Sequence, residues 1–261
     1  MRNTIINSSL AFTAAFLLTI LLHELAHFLM AITLGYESTL FHNRVVTPVP
    51  FETDHQELLF AGIAPLFSLL QGIVFLKISA TAGPSIKSLT CSWIGICGLI
   101  TFFGYLMISP IVPFGDTGKV FSIFNIPVVL QIIISIVSVV AITLILMRSV
   151  RLFEKFISGD LNAVKKVRLK WGNALILFPL LTGIIIVSVL QFPIAFLVSI
   201  LGAMLSPFPI FALYGTFVGS KKEIFSTGKS TDVNTALSYY LIGFLIVLLL
   251  TNRFLLNGIT F

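Results

Sequence analysis

The stretch SSLAFTAAFLLTILLHELAHFLMAITL, residues 8–34, decides how the rest of the chain is read. As a helix it is long enough to cross a hydrocarbon core of roughly 30 Å, which takes about 20 apolar residues. Its second half nevertheless carries His23, Glu24 and His27. Ionisable side chains at that depth are costly, and where they occur they pair with one another or mark a functional site. Arg2 ahead of an apolar run resembles the start of a secretory leader. The run continues through the polar cluster to Leu34 without a cleavage pattern, so 8–34 reads as a retained first span.

Six further apolar segments follow, at about 58–80, 91–110, 120–147, 172–190, 194–218 and 236–256. The composition agrees: 57% of the 261 residues are hydrophobic, only 10% are charged, and the mean hydropathy is +1.07. A soluble domain cannot bury so much apolar surface behind so little charge. The expected fold is therefore all-α, a polytopic transmembrane bundle of about seven spans in the cell membrane. One segment departs from that pattern. Between Thr39 and Phe51 the first connection, GYESTLFHNRVVTPVPFETDHQE (35–57), is rich in β-branched and aromatic residues and holds two prolines. That predicts extended backbone there, a short hairpin or an edge strand.

Charge sorts the remaining connections. Residues 148–172 hold seven Lys/Arg against two acids, and 219–235 adds Lys221, Lys222 and Lys229. By the positive-inside rule both are cytoplasmic, with the N-terminus inside and the C-terminus outside. The net charge of +6 is then loop charge facing anionic lipid rather than a nucleic-acid surface. Cys91 and Cys97 fall on different faces of one helix, which argues against a disulfide or a metal pair.

His23-Glu24-Leu25-Ala26-His27 matches H-E-x-x-H. Positions i and i+4 stack on one helix face, so two imidazoles can reach one ion while the intervening glutamate sits beside a bound water. A catalytic zinc takes three protein ligands and keeps a fourth position open. His42 and His55 are available as the third, but both lie in the loop; Asp116 is the stronger candidate. It lies in SPIVPFGDTGKV (109–120), where prolines and glycines interrupt an apolar stretch. Irregular backbone at membrane depth is tolerated where it is buried in protein or lines a polar cavity. The plainer readings are interior histidines bonding neighbouring helices, and a solvated Asp116 in a surface loop.

HELAH (23–27), AGIAPLFSLLQG (61–72) and PIVPFGDTGKV (110–120), in that order, resemble the site-2 protease family of intramembrane zinc metalloproteases. The resemblance covers residues 8–125. It implies a protease core over 1–125 with additional transmembrane helices over 126–261. It further implies Zn2+ held by His23, His27 and Asp116, with Glu24 as general base. The substrate would be a membrane-embedded protein or peptide, and the 36–51 strand would offer its backbone to that substrate. Two positions depart from the family pattern. Thr117 separates Asp116 from Gly118, where the family has Asp-Gly directly. The asparagine that often follows the second motif is missing, leaving Ser68 or Gln71 in its place, Ser68 reading more readily as a helix-packing residue. Lys119 either snorkels to the interface or stabilises negative charge near the site. A non-enzymatic transporter or immunity-type membrane protein is the competing reading of the whole chain, and a purely structural zinc site is a third.

Overall fold

The computed structural model describes residues 1–158, 164–193, 204–220 and 231–261. Helix α1 (Arg2–Thr33) runs through the middle of a helical bundle. Its N-terminal half is buried on nearly every side, by Ala11, Phe12, Ala14, Ala15 and Phe16, as expected for a helix apolar all round. The few polar residues there are spent on neighbours. Ser8 Oγ donates to Leu175 O at 2.7 Å and accepts from Trp93 Nε1 at 3.0 Å. Asn7 Nδ2 donates to Val233 O and Ala236 O. Such bonds hold helices together where hydrophobicity alone cannot distinguish neighbour from lipid.

The helix α2 (Asp54–Thr81) begins at a capping box, Thr53 accepting from Gln56 N while the Gln56 side chain accepts from Thr53 N. It packs closely along α3 (Ile86–Ile108), and both lie against α1. The approach of α2 to α3 depends on glycine. A Cβ on Gly98 would stand 2.6 Å from Ser68 O and 2.7 Å from Gly72 N, so only the smallest residue lets the two backbones meet.

After α3 the chain breaks at Ser109–Gly115, then forms the short helix α4 (Asp116–Ile123) against α2 and α3. Helix α5 (Val128–Arg148) leans on α3 and leaves Val129, Ile133, Ile136 and Val137 exposed, a surface suited to lipid. A turn, α6 (Arg151–Glu154), and α7 (Val164–Gly172) lead through a π-helical stretch, Asn173–Leu177, into α8 (Phe178–Leu190). Then come α9 (Ile210–Gly219), α10 (Asp232–Thr235) and α11 (Tyr239–Phe254).

Among the described residues six helices are long and apolar enough to cross a membrane. The segment expected at 194–218 is described only from 204; the helix Ile210–Gly219 at its end is shorter than a span, and residues 194–203 lie outside the described residues. The same holds for Lys221, Lys222 and Lys229 of the third connection.

The expected hairpin is present, as β1 (Thr39–Phe41) paired antiparallel with β2 (Arg44–Val46). A third strand, β3 (Ile259–Thr260), pairs with the other side of β1. β1 is therefore the centre of a three-stranded sheet, not an edge. Sequence could not show this, because β3 is contributed from the far end of the chain. Leu40 of the sheet packs with Phe28 and Leu255, against Leu21, Leu25 and Ile32 of α1.

Candidate metal centre

His23 and His27 lie one turn apart on α1, facing α2 and α4. Their exposures are 3% and 4%, and that of Glu24 is 9%, while the Asp116 side chain is 21% exposed, so the cluster reaches solvent only on its Asp116 side. The sheet occupies the opposite flank of the helix, on the Leu21–Leu25–Phe28–Ile32 stripe.

Each imidazole is oriented by a bond at Nδ1. In α2, Phe60 O meets His27 Nδ1 at 2.8 Å. A carbonyl only accepts, so His27 Nδ1 carries a proton and Nε2 is the nitrogen turned toward Asp116. Ser68 Oγ donates to Ala64 O at 3.0 Å and stands 3.1 Å from His23 Nδ1. With its own proton committed, Ser68 accepts from Nδ1–H, and His23 Nε2 is likewise turned toward Asp116. The aromatic series Tyr36–Phe51–Phe60–His27, with centroids 4.7, 4.9 and 4.8 Å apart, packs the first connection against the second ring.

Asp116, the first residue of α4, meets both inward nitrogens. Its Oδ2 is 3.0 Å from His23 Nε2 and 3.1 Å from His27 Nε2. The backbone break explains how a carboxylate following α3 gets there. Thr117 Oγ1 donates to Tyr105 O at 2.6 Å, tying the start of α4 back to α3. Gly118 lies so close to Val112 O and Pro113 that a side chain would collide with the folded-back loop. The Asp-Thr-Gly spacing thus has a local reason: the threonine tethers, and the glycine permits the fold-back.

Three ligand atoms, two imidazole nitrogens and one carboxylate oxygen, lie within 4.8 Å of one another. Lone pairs converging in this way repel unless a cation or a proton sits among them. Two histidines and a carboxylate, each imidazole oriented from behind, form a donor set that could hold a metal ion. Among the described residues no other group of three such side chains forms.

His55 is exposed in the first turn of α2 and takes no part. His42 is buried in the β1–β2 turn, its Nε2 donating to Gln191 O at 3.3 Å. Burial holds His42 below the ordinary histidine range, with the charges of Arg253 and Arg44 acting the same way and the Gln191 carbonyl opposing them. Gln71 joins helices rather than the site, its Nε2 donating to Thr19 Oγ1 and Ile94 O. Lys119 forms an ion pair with Glu57 at 2.7 Å. Ser68, read from sequence as a packing residue, touches His23 directly.

Sequence reasoning missed Tyr105, whose ring stacks on that of His23 with centroids 4.8 Å apart and planes 6° from parallel. A tyrosine near the end of an apolar span reads as an interfacial anchor, and nothing local distinguishes this one.

An apolar groove of about 240 Å3 runs beside the cluster between α1 and α2, lined by Leu22, Ala26, Leu29, Met30, Ile63 and Phe67. The fold and the site together define a multi-pass helical membrane protein with a cluster of two buried histidines and a partly buried carboxylate. No protein-family description, curated protein or solved structure matches the chain.

Proposed function

We propose that the protein is an intramembrane zinc metalloprotease of the site-2 type, acting in the cell membrane on a membrane-embedded protein or peptide. The observation that carries this reading is the convergence of two Nε2 atoms and Asp116 Oδ2 around one point, with Glu24 alongside on the same turn. His23, His27 and Asp116 would hold the ion, which when bound acidifies a water and polarises a carbonyl.

The chain's own residues account for the remaining steps. Glu24 takes the proton from the attacking water and passes it to the leaving amine. Ser68 and Phe60 O keep both imidazoles in the ligating tautomer. The groove between α1 and α2 gives an apolar segment a lateral approach to Ala26 and the histidine turn. A helical substrate hides its amides in hydrogen bonds, so it must be extended before attack. Pairing along the sheet would serve that, though β1 is flanked on both sides and β2 presents the outer edge.

Metal content of the purified protein tests the reading. About one zinc per chain is expected in wild type, lost or sharply reduced in Asp116→Ala and retained in Glu24→Gln. The Glu24→Gln protein should in turn cleave no substrate span. A folded wild-type protein that takes up no metal would leave His23, His27 and Asp116 as an ion-paired helix bridge, and the transporter reading would take over.

A further inference from the structure

We propose that the Tyr105 hydroxyl donates the hydrogen bond that stabilises the oxyanion formed during hydrolysis, the role for which sequence offered Lys119. The inference rests on the hydrolytic reading above. It starts from a requirement: attack on an amide places negative charge on the carbonyl oxygen, and a donor already aimed at that oxygen is among the largest single contributions to such catalysis.

The donors around the cluster can be taken in turn. Lys119 is held by Glu57 at 2.7 Å, on the α2 side of α4. The Thr117 hydroxyl is spent on Tyr105 O, that of Ser68 on Ala64 O, and the Gln71 amide on Thr19 and Ile94. Tyr105 differs in its partner. Its ring lies flat on His23 and its hydroxyl bonds the Asp116 carboxylate beside Glu24. That carboxylate would engage a bound ion, releasing the hydroxyl toward a substrate oxygen. That corner lies between the metal ligands and the base, where a carbonyl under attack would sit. The residue is held from two directions, by the stack on His23 and by Thr117 bonded to its backbone oxygen. Preorganisation of this kind avoids reorientation during the reaction.

The bookkeeping of the step is simple. The water oxygen bonds to the carbonyl carbon, the π pair moves onto oxygen, and Glu24 takes the water's proton. When the tetrahedral species collapses the C–N bond breaks and Glu24 returns the proton to nitrogen. Tyr105 keeps its proton throughout and contributes only the hydrogen bond.

A phosphinate pseudodipeptide, a tetrahedral anion with leucine side chains, is the probe. Zinc content and phosphinate affinity are measured on the purified wild-type protein, on Tyr105→Phe and on Lys119→Met. Tyr105→Phe, which keeps the ring and its stack, should hold zinc as wild type does and bind the phosphinate about 100-fold more weakly. Lys119→Met should bind it as wild type does. Equal affinity in Tyr105→Phe overturns the assignment, and so does a zinc-loaded wild type that ignores the probe. Loss of zinc in Tyr105→Phe overturns it too, by making Tyr105 a residue that positions the ligands. Absence of zinc from wild type is the separate outcome that removes the hydrolytic reading itself.

Discussion

At the scale of single residues, the site depends on what stands behind the ligands. A metal-binding imidazole needs a fixed tautomer, and the partner on the far nitrogen sets it. His27 uses a backbone oxygen, which substitution of a side chain leaves in place, whereas His23 uses Ser68, which can be removed. Ser68→Ala should therefore weaken zinc binding by about 10-fold without unfolding the protein, measured by competition with a chromophoric chelator. Ser68→Thr, which keeps the hydroxyl, should recover part of the loss. Equal affinity in Ser68→Ala would show that packing alone orients His23.

Among elements, the short helix α4 carries the carboxylate of the cluster, and its position is set by contacts made before and after Asp116. Thr117→Val keeps the shape of the side chain but removes the donor to Tyr105 O. The start of α4 should then drift from α3 and zinc affinity fall about 10-fold, with Thr117→Ser near wild type. The α2–α3 seam is a second test. Even the single methyl of Gly98→Ala would stand 2.6 Å from Ser68 O, so the helices must part. We expect a loss of about 1–3 kcal/mol in stability, typical of overpacking, read from thermal unfolding in detergent. Zinc affinity should fall with it, since Ser68 moves with α2.

For the whole molecule, remote segments are locked together by buried polar contacts. Arg168 Nη1 meets Glu154 at 2.7 Å with both side chains buried, and donates to Phe217 O as well. Lys155 reaches Ser79 O, Ala82 O and the Ser88 hydroxyl, closing the ends of α2 and α3. On the sheet side, His42 and Asn43 clasp Gln191, while Arg253 of α11 donates to Leu190 O and Phe192 O. This last clasp should respond to pH. Unfolded, His42 takes up a proton around its ordinary value of 6.5; folded, burial and the charges of Arg253 and Arg44 delay that to lower pH. Between the two values the unfolded hairpin binds more protons, so its docking is fully stable above 6.5 and weakens as pH falls below it. Hydrogen exchange at residues 39–46, corrected for intrinsic rates, should show protection falling from pH 7 to pH 5 in wild type. His42→Gln should flatten that dependence.

Much of this was legible in the residues themselves. Helix length and apolarity follow from local composition, and the H-E-x-x-H spacing follows from 3.6 residues per turn, so the membrane-spanning helices and the His23–His27 face needed no structure. The proline and glycine break around Asp116 was equally visible, because those residues act on their own backbone. Long-range pairing was not. The basic residues of 148–172 look alike in sequence, yet Arg168 and Lys155 turn inward while their neighbours stay outside. Tyr105 beside His23, Ser68 behind it and Ile259–Thr260 against β1 join residues tens to hundreds of positions apart. Hydrophobic pattern and turn chemistry depend on near neighbours and can be read along the chain. Which donor meets which acceptor is set by how the helices pack, and only the tertiary structure decided that.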